Sequence, residues 1–216
     1  MIQYIIWDAG GTLFDTYPAK ARAIQQALAA LGGEAAYEEV LRLTRVTTRH
    51  ALETLAQRYD VDLGTLQAGY QVRYRAVPPE AQPPFPGVRE ICRYICTIGD
   101  NFVVTHRAAS SLNRLLRAHE MDMYFADSLT KESPFPRKPD PASTEAILAT
   151  HRLDRARTLA VGDRKIDVLA AKRASIRVCF YGEAQDDIPA DIFVTDYRRL
   201  LEQIKRENVL VKRREA

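Results

Sequence analysis

Residues 2–12, IQYIIWDAGGT, are the stretch on which the fold turns. The run IQYIIW is apolar, β-branched and aromatic, and too short for a helix; it ends abruptly in Asp-Ala-Gly-Gly. That pattern predicts a buried strand that delivers one carboxylate, Asp8, into a loop. Beyond the loop the period changes. From Pro18 to about Val77 apolar residues recur at helical spacing: Ile24, Leu28 and Leu31; Leu52, Leu55, Ala56 and Tyr59; Leu63, Leu66, Tyr70 and Tyr74. Three or four amphipathic helices are expected there, with no strand between them. The following PPEAQPPFPG, residues 78–87, cannot continue a helix and predicts an extended, stiff connector.

After the connector, helices and strands alternate. A helix carries Val88, Ile91, Cys92 and Ile95; FVVT at 102–105 is a strand; a helix carries Leu112, Leu115 and Leu116; a short strand lies near Tyr124 to Ala126. A polar, proline-rich loop leads to a helix over roughly 141–151 and the strand TLAV at 158–161. A helix with Ile166, Leu169 and Ala170, the strand IRVCF at 176–180, a strand at Ile192 to Val194 and a helix with Leu200, Leu201 and Ile204 complete the series. The tail after Asn208 is expected to fray. Alternation of this kind implies parallel strands joined by right-handed crossovers, with helices on both faces. The fold class is α/β: a Rossmann-like parallel sheet, residues 1–16 and 85–216, interrupted after its first strand by an all-helical insert, residues 17–84.

Composition narrows the function. With 46% hydrophobic and 27% charged residues the chain is that of a folded globular protein able to bury a core without staples. Lys plus Arg number 31 against 28 Asp plus Glu, with the basic residues dispersed, so a nucleic-acid role has little support. No uncharged stretch approaches the roughly 18 residues of a membrane helix, and MIQYIIWD lacks the basic region of a signal peptide. Cys92, Cys96 and Cys179 have no zinc-ligand spacing and are expected as buried, reduced thiols. The expectation is a cytoplasmic protein of unspecified oligomeric state.

In open α/β sheets ligands sit beyond the carboxyl ends of the strands. Asp8, Thr105 and Asp163 each lie at the end of a predicted strand, Asp167 lies four residues after Asp163 on the same side of a helix start, and Lys138 sits in the loop before the fourth strand. Clustered carboxylates repel one another unless a cation neutralises them, and an oxygen-only set favours Mg²⁺. A cation, a lysine and a hydroxyl around one carboxylate suit phosphoryl transfer, with Asp8 as the nucleophile.

These residues also resemble the haloacid dehalogenase-like (HAD) superfamily, in the form with a helical cap inserted after the first motif. Asp8-Ala9-Gly10-Gly11-Thr12-Leu13-Phe14-Asp15 matches its first motif, Asp-x-Asp-Gly-Thr-Leu-x-Asp, except at one position. Thr105 matches the second, Lys138-Pro139 the third, and Gly162-Asp163-Arg164-Lys165-Ile166-Asp167 the fourth, Gly-Asp-x-x-x-Asp; Phe85-Pro86-Gly87-Val88 resembles the return from cap to core. The resemblance implies that Asp8 forms an aspartyl-phosphate, Thr105 hydrogen-bonds the transferring group, and Lys138 offsets its charge. It implies Mg²⁺ held by Asp8, Asp163, Asp167 and the backbone carbonyl of Gly10, with Gly11, Thr12, His106 and Arg107 on the substrate side. The substrate class is a small phosphorylated metabolite.

The departure is Gly10, where family phosphatases carry the Asp that protonates the leaving group and then activates water. Three outcomes stay open: a slow phosphatase, with Asp15 or His106 as a doubtful substitute; a dehalogenase or phosphonatase branch, each a poor match; or an impaired relative that binds a phosphorylated ligand or a partner. For His106 the alternative is a solvent-exposed loop histidine. In the cap, Arg45, Arg49, His50, Arg73 and Arg75 can hold an anionic tail or simply line a solvated face. Arg164, beside the metal motif, can contact a phosphate or form a surface salt bridge.

Overall fold

A computed structural model describes residues 1–215, with side chains through Leu210. The chain divides into two compact units, one of residues 1–14 with 84–216 and one of residues 15–83. The expected boundaries, at 16/17 and 84/85, lie within two residues of these.

In the first unit, β1 (Tyr4–Trp7) takes the middle of a six-stranded sheet, flanked by β2 (Asp100–Val104) and β4 (Thr158–Gly162). Outside these lie β3 (Phe125–Leu129) on one edge, then β5 (Arg177–Tyr181) and β6 (Ile192–Val194) on the other; every pair is parallel. A central strand must be apolar on both faces, and IQYIIW is. Ile5 and Trp7 pack on one side with Val103, Val161 and the helices α5 (Val88–Ile95), α6 (Ala109–Ala118) and α9 (Tyr197–Glu215). Ile6 packs on the other with Phe102, Ala160, Val178, α7 (Ala142–Thr150) and α8 (Lys165–Arg173). Trp7 is level with both Val103 and Val161. The three central strands therefore end together, and Asp8, Thr105 and Asp163 leave the sheet near one another.

Two buried asparagines fasten this unit. Asn101 accepts from Trp7 Nε1 at 3.0 Å and donates to the carbonyls of Cys92 at 3.0 Å and Tyr124 at 3.3 Å. Asn208 accepts from the Ile2 amide at 2.7 Å and donates to the Ile2 carbonyl at 2.8 Å, completing a β-like pair through a side chain. The helix α9 runs on past Asn208 to Glu215, where fraying was expected; this tie fixes it at that point.

The second unit is a cluster of α1 (Tyr17–Ala29), α2 (Tyr37–Val46), α3 (Thr48–Arg58) and α4 (Leu63–Ala76) around Ile24, Leu28, Val40, Leu52, Leu55 and Leu66. Asp62 and Thr47 cap α4 and α3 by accepting from Thr65 N and His50 N. Tyr70 and Tyr74 stack at 5.5 Å and are packing residues.

Several local expectations need correction. Leu31 and Leu63 are exposed, because Leu31 falls beyond the end of α1 and Leu63 is the first residue of α4. The connector is not wholly extended: Pro79–Ala81 form a 3₁₀ turn, which the fixed φ of proline at a first helical position favours. β3 starts after another such turn and extends to Leu129. Cys92 and Cys179 are buried free thiols, but Cys96, at the end of α5, is exposed. Among the described residues no helix is long and apolar enough to cross a membrane.

Asn208→Ala removes both bonds to Ile2 and leaves buried backbone groups without partners. We expect a loss of about 2–3 kcal/mol, read as a lower urea midpoint with an unchanged slope.

Candidate active site

The sheet register brings three carboxylates together. Asp8, Asp163 and Asp167 each offer an oxygen within 4.8 Å of the others. Asp8 follows β1, its amide held by the Val161 carbonyl at 2.9 Å. Asp163 follows β4 in a bend and is not on α8, as the spacing suggested. Arg164 takes an extended conformation (φ −126°, ψ 150°) as the N-cap, so the helix starts only at Lys165 and Asp167 falls in its first turn. The Asp167 carboxylate turns back to accept from the Arg164 amide at 3.1 Å. This close return explains Gly162: a Cβ there would meet Asp167 Cβ at 2.3 Å.

Lys138 enters this cluster from the loop after β3 and is almost fully buried. Its Nζ donates to Asp8 Oδ1 at 2.6 Å and to the Val104 carbonyl at 3.0 Å, and lies 2.5 Å from Asp167 Oδ1. Burial alone would pull the ammonium's pKa down, but Asp167 and Asp8 outweigh it and hold the lysine charged. Burial pushes the Asp167 carboxyl above the usual carboxylate range, and the negative charge of Asp8 adds to this. One lysine thus serves two of the three carboxylates, and the buried Asp167 Oδ1 meets only that ammonium among the described partners. Such a set has more negative charge than its protein partners offset, and all of its donors are hard oxygens. A divalent cation of the magnesium type fits it.

The loop after Asp8 is braced on two sides. Thr12 Oγ1 donates to Asp163 Oδ1 at 2.9 Å, and the Tyr197 hydroxyl donates to the Thr12 carbonyl at 3.0 Å. Gly11, at φ +97°, allows its amide to close a bond to the Phe14 carbonyl at 2.8 Å. Gly10 lies in the same turn, bridged to Phe14. Thr105 is buried at the end of β2, and its hydroxyl accepts from the Arg107 amide at 3.2 Å. The Arg107 guanidinium donates to Ser111 Oγ at 2.7 Å.

His106 is not the exposed loop histidine that was one reading. It is half-buried, and Nε2 accepts the Lys138 amide at 2.9 Å. Burial and the charges of Lys138, Arg164 and Arg137 lower its pKa to about 4. The ring is therefore neutral near pH 7 and its Nε2 lone pair is engaged, which suits it to position Lys138 better than to shuttle protons. Asp15 belongs to the helical unit, where burial raises its pKa against the pull of Arg45 and Lys20. Of the cap groups singled out, Arg45, Arg49, His50 and Arg75 are exposed, and Arg49 pairs with Glu53 at 2.6 Å. Arg73 is half-buried and donates to the Gly69 carbonyl at 3.1 Å.

Two contributors escaped the sequence reading. Tyr197 lies one turn before Leu200 on the same stripe, so its burial was legible but its bond to Thr12 was not. Gly162 stood inside a quoted motif, and its role in admitting Asp167 needed coordinates.

Two measurements test this geometry. The unfolded His106 titrates near 6.5 and the folded one near 4, so between these values the unfolded chain binds the extra proton. Its contribution to stability is present above about pH 6.5 and is lost as the pH falls toward 4. His106→Gln, which keeps an acceptor for the Lys138 amide, is expected to lessen that acid-side decline in urea titrations across the window. Gly162→Ala must displace Asp167, and we expect at least a tenfold weaker Mg²⁺ affinity by calorimetry, about 1.4 kcal/mol.

The comparisons with known proteins agree with this architecture. The family model described as haloacid dehalogenase-like hydrolase matches residues 5–181. The phosphoglycolate phosphatase of Vibrio parahaemolyticus is 29% identical over 192 residues, covering 80% of this chain and 80% of its own length. That of Pseudomonas syringae pv. tomato is 28% identical over 180 residues; 80% of this chain is covered and 66% of the relative, just under two thirds of its length. The crystal structure of a predicted phosphoglycolate phosphatase from Haemophilus somnus superposes with a TM-score of 0.78 at 20% identity, over 94% of this chain and 98% of that one, a likeness of fold. With the family match running from β1 to the end of β5, the chain belongs to the haloacid dehalogenase-like hydrolase family.

Proposed function

We propose that this protein is a Mg²⁺-dependent phosphatase that cleaves a small phosphorylated metabolite through an aspartyl-phosphate on Asp8, with turnover limited by Gly10. The observation that carries this reading is the Lys138 ammonium, buried between Asp8 at 2.6 Å and Asp167 at 2.5 Å in a pocket of three carboxylates. A buried acidic cluster held around one cation costs stability, and that cost is understandable where a further cation and an anionic substrate complete the site.

Asp8, Asp163, Asp167 and the Gly10 carbonyl would hold the metal; what Mg²⁺ supplies when bound is positive charge against the cluster and the phosphoryl oxygens. The protein groups do the rest. Lys138 fixes one oxygen of Asp8 and leaves the carboxylate oriented for attack on phosphorus. As the Asp8 oxygen–phosphorus bond forms, the bond to the leaving oxygen breaks, and the charge on the equatorial oxygens is met by Lys138, by Thr105 and by the Thr12 amide. The leaving oxygen must then gain a proton, and a water must lose one to attack the aspartyl-phosphate. Gly10 provides no group for either transfer. With its low pKa and engaged Nε2, His106 is a weak replacement. Substrates with good leaving groups suffer least from this lack.

Relatives called phosphoglycolate phosphatase make 2-phosphoglycolate the first metabolite to assay. The free thiols suit a reducing, cytoplasmic setting. Gly10 itself favours one second reading, a binding protein that holds a phosphorylated ligand or a partner with little turnover.

Mg²⁺-dependent phosphate release from 2-phosphoglycolate and from an activated aryl phosphate separates these. We expect slow release by the wild type, none by Asp8→Asn, and a gain for Gly10→Asp within the roughly 10²- to 10⁴-fold worth of general acid–base help. An inert wild type that Gly10→Asp does not rescue would replace the phosphatase with the binding protein. Halide release from a 2-halo acid would instead favour dehalogenase chemistry.

A further inference from the structure

Resting on the reading of this pocket as a phosphoryl site, we propose that Arg164 is a further substrate-binding residue, its guanidinium donating to the non-bridging oxygens of the phosphoryl group. Arg164 stands between two of the clustered carboxylates, Asp163 and Asp167. Its backbone is held at both ends: the amide donates to Asp167 Oδ2 at 3.1 Å, and the carbonyl accepts from the Asp167 amide at 2.9 Å. The residue is half-buried and its Nε is shut off from solvent.

Its charge reaches groups on two sides of Lys138. It acts on Asp167, which lies against the lysine's ammonium, and on His106, which takes the lysine's amide. A cation that influences both lies beside the pocket that Lys138 spans.

Charge matching gives that position a purpose. Three carboxylates against one lysine leave two negative charges in excess, which one divalent cation cancels. A phosphate monoester then brings about two more negative charges near neutral pH. Arg164 is the near cation with a fixed stem. Arg137, the other arginine that acts on His106, is exposed and must be ordered from solvent before it can serve. The planar fork of arginine also matches a phosphoryl face bidentately, which a lysine cannot do.

The test titrates inorganic orthophosphate by calorimetry in the presence of Mg²⁺, and Mg²⁺ alone in parallel, into the wild type, Arg164→Gln and Arg164→Lys. Thermal melts confirm that each is folded. We expect orthophosphate to bind Arg164→Gln about 10- to 100-fold more weakly, the range for charge-assisted hydrogen bonds. Arg164→Lys should recover only part of this, and Mg²⁺ alone should bind both variants no more weakly than the wild type. Unchanged orthophosphate binding in Arg164→Gln, full recovery in Arg164→Lys, or a primary loss of Mg²⁺ affinity would each overturn the assignment. If the wild type releases phosphate in an Asp8-dependent manner while any of these holds, only the role of Arg164 falls. A wild type that binds no orthophosphate with Mg²⁺ removes the phosphoryl site and this inference with it.

Discussion

The structure of the sheet unit is organised around a problem of charge: three carboxylates held within 4.8 Å of one another with a single buried ammonium among them. Coulomb repulsion in a poorly hydrated pocket would scatter such groups if their backbones were free to move. They are not free. Asp8 is fixed by the pairing of β1 with β4, Asp163 by its place at the end of β4, and Asp167 by its bond to the Arg164 amide. The apolar residues of IQYIIW, packed on both faces, thus supply the stability that a polar cluster at the carboxyl ends of the central strands draws down.

Much of this was legible in the chain. The alternation of periods after residue 87 predicted a parallel sheet with helices on both faces, and the all-helical stretch before it stood out as an insert. Asp8, Thr105, Lys138, Asp163 and Asp167 were legible as site candidates because each lies at a strand end, in a connecting loop or, for Asp167, at the start of the following helix. What stayed hidden depends on long-range contact or on one backbone angle. The extended φ of Arg164 delays the start of α8 and takes Asp163 off the helix, which no spacing rule reports. The neutral state of His106 comes from its burial and from the charges of Lys138, Arg164 and Arg137, far from it in sequence. Nothing in the spacing marks Asn101, yet its side chain bonds Trp7 Nε1 and the carbonyls of Cys92 and Tyr124 at once.

Gly10 separates two properties that are easily merged, holding a phosphoryl group and releasing it. On the proposed reading, side chains of residues 8, 105, 138, 163 and 167 would recognise and orient the group, and the carboxyl that Gly10 lacks would concern only proton traffic. Such a site would then keep its affinity for anions, and hydrolysis of the aspartyl-phosphate would be its slow step whatever the leaving group.

The crossings at 13–15 and 83–85 have an architectural consequence. Leu13 and Phe85 are joined by a backbone bond of 3.0 Å, Phe14 bridges Pro84, and the Asp15 amide donates to the Pro83 carbonyl at 2.8 Å. To the sheet, the entire helical block is therefore the tip of a β-hairpin whose stem is already zipped. A stem of this kind tolerates tips of very different length, because closing a longer loop adds little entropy once its ends are paired. Replacement of the block by another module, or by a tight turn, would leave β1 and its pairing with β2 and β4 untouched.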